Sequence, residues 1–159
     1  MDKTRYRLLD EARALMLLLS NSNVFALNFS AIILSWMGKT QLAIERAQRA
    51  LRLSPFNFYN FRAHHALAIA HFHTQQYADA LDAARSAVQG NPRFSIAHAV
   101  LAAALLRTGR TAEAKAATQE VFKYEPTFTI HGVQVVAGGL EPSVFDPFAD
   151  AWREIGLPE

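Results

Sequence analysis

Three regularly spaced prolines constrain the fold of this chain more than any other feature. Pro55, Pro92 and Pro126 each close a stretch in which small and apolar residues recur at helical spacing. The first two prolines are 37 residues apart and the last two are 34 residues apart. A period near 34 residues, built from paired helices, is typical of a helical repeat array. Such arrays present extended surfaces, so the period predicts a scaffold that binds rather than an enzyme.

Alignment on the prolines divides the central part of the chain into three repeats, at residues 24–57, 61–94 and 95–128. Each repeat contains two stretches with apolar residues at spacings of three and four, which predicts a pair of helices. In the first repeat, Leu27 and Ala31 precede Gly38, and the second stretch ends at Leu53. Glycine suits the left-handed backbone that ends a helix, and proline cannot continue one. The sequence therefore predicts an all-α protein.

The small residues of the repeats resemble those of the tetratricopeptide repeat (TPR) family. Alanine at a helix crossing lets two backbones approach closely, while larger apolar side chains fill the space around it. The matching residues are Ala31, Ala43, Ala50 and Pro55; Ala68, Ala80, Ala87 and Pro92; and Ala102, Ala114 and Pro126. Val121 replaces an alanine in the third repeat, and Gln75 replaces a turn glycine in the second. The resemblance implies a right-handed superhelix of helix-turn-helix repeats with a C-terminal capping helix.

The N-terminal segment, residues 1–23, predicts one further helix, with Leu8, Leu15 and Leu19 on one face. It resembles the second helix of a partial preceding repeat. We therefore expect the chain to be a fragment or the tail of a longer protein.

The C-terminal segment, residues 129–159, is predicted to cap the last repeat, because a solenoid needs a terminal cover. Residues 129–136 form a short helical pattern. A second helix is expected to begin with Asp146 as the N-cap and Pro147 at the first helical position. Its apolar stripe contains Phe148, Ala149, Trp152 and Ile155. We expect Trp152 in the core rather than on a binding surface.

Composition limits the classes of function. The chain has 159 residues, 51% of them hydrophobic and 19% charged, which suits one globular domain. A net charge of +2 is too small to indicate a nucleic-acid surface. The chain has no cysteine, which fits a reducing compartment, and we expect it to be cytoplasmic. The longest apolar stretch, residues 24–37, contains polar residues and is too short for a membrane span.

Catalytic motifs are missing from the sequence. It contains no glycine-rich phosphate loop, HExxH or G-x-S-x-G motif, so we predict neither an enzyme nor a cofactor. The alternative is a zinc protein. His64 and His71 share one predicted helix face, and His98 is the repeat-equivalent of His64. No carboxylate stands beside them as a supporting group, so we predict packed or groove-facing histidines and no metal site.

The TPR resemblance implies a concave groove lined by the first helix of each repeat. Carried over by alignment, its lining is Phe25, Asn28, Ile32, Trp36, Arg62, His65, Ile69, Phe72, His73, Ala103, Leu106 and Arg107. Aromatic and aliphatic side chains mixed with a few cations are typical of a protein interface. We therefore expect a protein or peptide in the groove. Two alternatives remain: the C-terminal segment or the N-terminal helix fills the groove, or the chain self-associates as a homodimer through its incomplete N-terminal repeat.

A narrower resemblance rests on short motifs near the C-terminus. Phe145-Asp146-Pro147 and the closing Gly156-Leu157-Pro158-Glu159 resemble the end of the TPR region in bacterial class III adenylate cyclases. In those proteins a catalytic domain precedes the repeats, and similar arrays also follow winged-helix DNA-binding domains. The resemblance implies a regulatory or scaffolding region of a bacterial signalling protein, with any cyclase activity in an attached domain.

Overall fold

The computed structural model describes residues 23–137 and 140–159, and these residues form eight α-helices and no strand. The helices are α1 (Val24–Trp36), α2 (Thr40–Leu53), α3 (Asn60–His73), α4 (Tyr77–Gly90), α5 (Ser95–Arg107), α6 (Thr111–Tyr124), α7 (Ile130–Ala137) and α8 (Pro142–Glu154). The all-α prediction is confirmed. The predicted N-terminal helix, at residues 1–23, lies outside the described residues except for its last position.

Helices α1 to α6 form three antiparallel pairs, α1 with α2, α3 with α4 and α5 with α6. Successive pairs stack on one another, so that α1, α3 and α5 lie side by side along one surface. Alanines sit where the helices cross: Ala31, Ala43, Ala68, Ala80, Ala102 and Ala114 are completely buried. Their small side chains permit the close approach of neighbouring backbones, as the sequence predicts.

The turn inside each pair uses a residue with positive φ. Gly38 has φ +72° and Gly109 has φ +77°, the left-handed conformation that glycine adopts without steric cost. Gln75 occupies the equivalent turn at φ +60°. A side chain at this position strains the backbone, so the second turn is formed at a cost that the other two avoid.

The C-terminal helices depart in one respect from the expectation. α7 begins and ends within one residue of the predicted short helix. α8 begins earlier than predicted, with Pro142 in its first turn after Glu141, and Pro147 lies inside the helix. The assignment of Asp146 as the N-cap is therefore wrong. The earlier start brings Val144 and Phe145 onto the apolar face of α8, where both are buried.

The end of α8 is shaped by Gly156, at φ +90°. The backbone N–H of Leu157 donates to the carbonyl of Trp152 at 2.9 Å, and the N–H of Ile130 donates to the carbonyl of Pro158 at 2.8 Å. These bonds fold the last residues back against the beginning of α7. Within residues 23–137 and 140–159, no helix combines the length and the apolar character needed to cross a membrane.

Candidate interaction surface

Helix α8 lies on the surface formed by α1, α3 and α5. The ring of Phe148 stacks on the ring of Phe72, with centroids 4.0 Å apart and planes inclined by 19°. It also contacts Trp36, with centroids 5.3 Å apart. Phe148 and Phe72 are almost completely buried. α8 therefore covers the part of the α1–α3–α5 surface that these aromatic side chains line.

Trp152 anchors α8 to the third repeat. Its indole Nε1–H donates to the backbone carbonyl of Ala99 at 2.8 Å, and the side chain has no exposed surface. The rings of Phe128 and Phe145 pack edge-on to the indole, at centroid distances of 6.2 and 6.0 Å. The prediction that Trp152 belongs to the core is confirmed.

Polar contacts hold both ends of α8. At its beginning, the N–H of Glu141 donates to the carbonyl of Trp36 at 2.9 Å, just where α1 ends. At its end, Glu154 pairs with Arg107, with 3.0 Å between the carboxylate oxygen and the guanidinium nitrogen. The contacts run from α1 to α5, so α8 crosses the whole width of the array.

The predicted groove residues fall into three groups. Seven are buried: Asn28, Trp36, His65, Ile69, Phe72, Ala103 and Leu106. Four are half-buried: Ile32, Arg62, His73 and Arg107. Phe25 is 47% exposed. Of the two segments expected to fill the groove, the C-terminal one lies against Trp36 and Phe72, so these side chains contact α8. The N-terminal one lies outside the described residues except for residue 23.

Two of the buried groove residues are polar. Asn28 donates from Nδ2 to the carbonyl of Val24 at 3.0 Å, while its Oδ1 has no partner in the described part of the chain. His65 packs edge-on to Phe94, with ring centroids 5.0 Å apart. Burial, and secondarily the charge of Arg62, lowers the pKa of His65 to about 3. His65 is therefore a neutral core residue rather than a charged groove contact.

Within the part of the chain that the structure describes, the histidines are not grouped as a metal centre. A ring nitrogen of His98, Nε2, lies 2.7 Å from the carbonyl of Pro92, and the ring stacks on Tyr124. Nδ1 of His71 lies 2.9 Å from the Gln76 side chain. Among residues 23–137 and 140–159, no three His, Asp or Glu side chains are grouped to hold an ion. The zinc alternative finds no support in the described residues.

The structure reveals an aromatic surface that sequence reasoning missed. It lies where the turn between α2 and α3 meets the beginning of α1. Phe58 is 71% exposed and Tyr59 is 38% exposed, and Tyr59 packs edge-on to Phe25 at a centroid distance of 5.2 Å. The signal that points to it is the first proline interval, which exceeds the second by three residues.

Three stacked helix pairs covered by a terminal helix define a TPR-type right-handed superhelix. Residues 74–133 match the model of a family described as tetratricopeptide repeat. Among 30 matching chains of solved structures is a crystal structure of MamA, at 21% sequence identity and a TM-score of 0.62. The match covers 97% of this chain and 95% of that one. No curated protein matches the sequence.

Proposed function

We propose that this chain is a non-catalytic protein-interaction module. The observation that carries the proposal is the packing of α8 against the repeat array. The surface formed by α1, α3 and α5 holds an amphipathic helix by an aromatic stack, a buried indole hydrogen bond and a rim ion pair. A surface that binds one apolar helix face has the shape and chemistry to bind another. The match of residues 74–133 to the TPR family also supports a role in protein–protein interaction.

In this proposal residues 24–128 act as the repeat array and residues 129–159 as its cap. Trp36 and Phe72 contact a partner only when α8 moves away, because α8 covers both side chains. A groove ligand would thus compete with α8. Weakening the packing of α8 against α1, α3 and α5 is expected to increase the binding of any such ligand.

Affinity capture from source-cell extract tests the proposal, using the full chain, Phe148→Ala and Val135→Ala as baits. Val135 is 64% exposed on α7, so its substitution is the matched control. We expect specific proteins on the wild-type and Val135→Ala baits, with more of any groove ligand on Phe148→Ala. Circular dichroism establishes that each bait is folded. The absence of any specific protein from all three folded baits would contradict an interaction role.

The finer proposal places this module in a bacterial adenylate cyclase-like signalling protein of the cytoplasm. It rests on the C-terminal motif resemblance. Phe145 is buried beside Trp152, and Pro158 bonds to Ile130, so in this chain both motifs serve the cap. An immunoblot of source cells tests the attachment. A band far above 17.7 kDa supports a linked domain, and a band at 17.7 kDa contradicts it.

Self-association is the second candidate. Its original basis, the incomplete N-terminal repeat, lies in residues 1–22, outside the described part of the chain. The exposed rings of Phe56 and Phe58 provide an independent reason to test it. Light scattering at high concentration distinguishes the two candidates, because a strictly monomeric chain contradicts a dimerisation module.

A further inference from the structure

The turn between α2 and α3 holds its aromatic side chains in a defined backbone. The Nδ2 of Asn60 donates to the carbonyls of Ser54 and Pro55, at 2.7 and 3.1 Å. Asn57 accepts from the N–H of Tyr59 at 2.9 Å through its side chain. These bonds close the turn on itself. Its rings are therefore presented by an ordered loop, which reduces the entropy lost when a ligand binds.

The equivalent turns of the array point their aromatic residues inward. Phe94 and Phe128 each lie two residues after the repeat proline. Phe94 packs against Phe61 at a centroid distance of 5.2 Å, and Phe128 is 3% exposed. After Pro55, that position holds Asn57, and its neighbours Phe56 and Phe58 are 100% and 71% exposed. The longer first turn thus adds rings that the packing of the repeats does not use.

Arg62 lies against Tyr59 of this turn, against Phe29 of α1 and against Phe61 of its own helix. Its guanidinium carbon lies 4.6 Å from the ring centroids of Phe29 and Phe61 and 5.1 Å from that of Tyr59. The Nη1 atom is buried and has no hydrogen-bond partner in the described part of the chain. No described ion pair includes Arg62. Among the described residues, the Arg62 guanidinium is therefore faced by aromatic rings and not by a carboxylate.

The charge of the surrounding half of the chain has the same sign. Residues 23–78 contain five Lys and Arg residues and a single acidic residue, Glu45. Residues 79–159 contain ten acidic and seven basic residues. Residues 23–78 thus favour anionic partners, whereas α8 belongs to the more acidic part of the sequence.

We infer that the aromatic–arginine patch, formed by Phe25, Phe58, Tyr59 and Arg62, binds an acidic peptide segment of a partner protein. A carboxylate of the peptide pairs with the half-buried guanidinium of Arg62 through the N–H groups other than the buried Nη1. The apolar neighbours of that acid pack on the three rings. This inference rests on the proposed interaction function and gives that function a site outside the surface covered by α8. A short peptide segment with one acid among apolar residues matches a patch that has one cation beside aromatic rings.

A nucleic-acid strand fits this patch less well. Strand binding needs several cations along a backbone path together with stacked bases. The patch offers one cation, and a net charge of +2 for the chain is small for such a ligand. A second copy of the chain could also bind the patch through its more acidic half. The experiment must distinguish that dimer from binding of a peptide.

Selection from a phage library of random linear peptides tests the inference, with the full chain as bait. The best peptide is then synthesised with its acid intact and with Asn or Gln in that position. Fluorescence anisotropy gives the Kd for the wild-type chain, Arg62→Gln, Phe58→Ser and the control Arg93→Gln. Arg93 is an exposed arginine in the turn between α4 and α5, so it matches the charge change away from the patch.

We expect the selected peptides to share an acid beside apolar residues. Arg62→Gln is expected to weaken binding of the acidic peptide by about tenfold or more. Replacing the acid of the peptide should weaken its binding to the wild-type chain by a similar factor, and should change its binding to Arg62→Gln little. Phe58→Ser, whose side chain is largely exposed, weakens binding without loss of fold, and Arg93→Gln changes nothing.

Four results would overturn the inference. They are selected peptides without an acid, affinities unchanged by both patch variants, a dimer in light scattering that Arg62→Gln dissolves, and tight binding of a labelled poly-dT strand that Arg62→Gln abolishes. Peptide binding that ignores the patch would leave the interaction function standing. Selection of no peptide, together with empty captures from cell extract, would count against the function itself.

Discussion

Phe148 of the C-terminal helix and Phe72 of α3 lie nearly parallel, with their ring centroids 4.0 Å apart. This stack joins the C-terminal cap to the second repeat, although the cap follows the third repeat in the sequence. Because the ring of Phe148 also contacts Trp36 of α1, the packing of α8 depends on the first repeat as well as the second.

The first prediction concerns the packing of α8 against the repeat array. Phe148→Ala removes a completely buried ring, and we expect the free energy of unfolding to fall by about 3–5 kcal/mol. Asp146→Ala, at an exposed position of the same helix, is expected to change it by less than about 0.5 kcal/mol. Urea denaturation followed by circular dichroism measures both. A loss of about 1 kcal/mol or more in Asp146→Ala would restore Asp146 as an N-cap and contradict the observed start of α8.

The second prediction compares two glycines with the same backbone conformation. A Cβ at Gly38 would lie 3.2 Å from Cγ of Glu141, whereas a Cβ at Gly109 has no heavy atom within 4 Å. Both alanine variants incur the cost of a positive φ, about 1–2 kcal/mol. Gly38→Ala should lose more stability than Gly109→Ala, because it also presses on the beginning of α8. Equal losses in thermal denaturation would show that α8 does not sit against this turn.

The third prediction uses the strained turn at Gln75. Gln75→Gly relieves the left-handed strain of a residue at φ +60°, and we expect a gain of about 1 kcal/mol. Gln134→Gly makes the same chemical change at an exposed position within helix α7, where glycine costs about 1 kcal/mol. The two variants should thus shift the midpoint of chemical denaturation in opposite directions. A loss of stability in Gln75→Gly contradicts the assigned conformation.

The fourth prediction concerns pH and His65. Its folded pKa of about 3 lies below the ordinary value of 6.5, so between these values the unfolded chain binds more protons. The stability that neutral His65 contributes is complete above pH 6.5 and declines as pH falls toward 3. From about pH 6.5 to pH 5 we expect a loss of about 1–2 kcal/mol.

The matched variants are His65→Leu and His71→Leu, both on α3. His65→Leu should flatten the pH dependence over this range, because it removes the buried imidazole. His71→Leu should retain it. Urea denaturation at about pH 5 and about pH 7 measures the difference. Identical slopes for the wild type and His65→Leu would show that another group is responsible.

The helix pairs could be read from the sequence because their signals are local. Apolar spacing, the alanines at the crossings and the punctuation by Gly38, Gly109 and the prolines act within a few residues of each position. The start of α8 could not be read so easily, because Pro142 and Pro147 both suit the first turn of a helix. The burial of Val144 and Phe145 against the array decided between them.

The candidate site depended still more on long-range contacts. Alignment to the TPR family placed Trp36, Phe72 and Arg62 on the same concave surface. It did not distinguish side chains covered by α8 from those left beside exposed rings.

The sequence by itself determined an all-α repeat scaffold, because helix period, small crossing residues and turn glycines are encoded in short stretches. Only the tertiary structure decided which part of the scaffold's surface is covered. Phe148 reaches Phe72 across many intervening residues, and the extra length of the first turn places Phe58 and Tyr59 beside Phe25 and Arg62. Such contacts depend on how whole helices stack, and no local pattern specifies them.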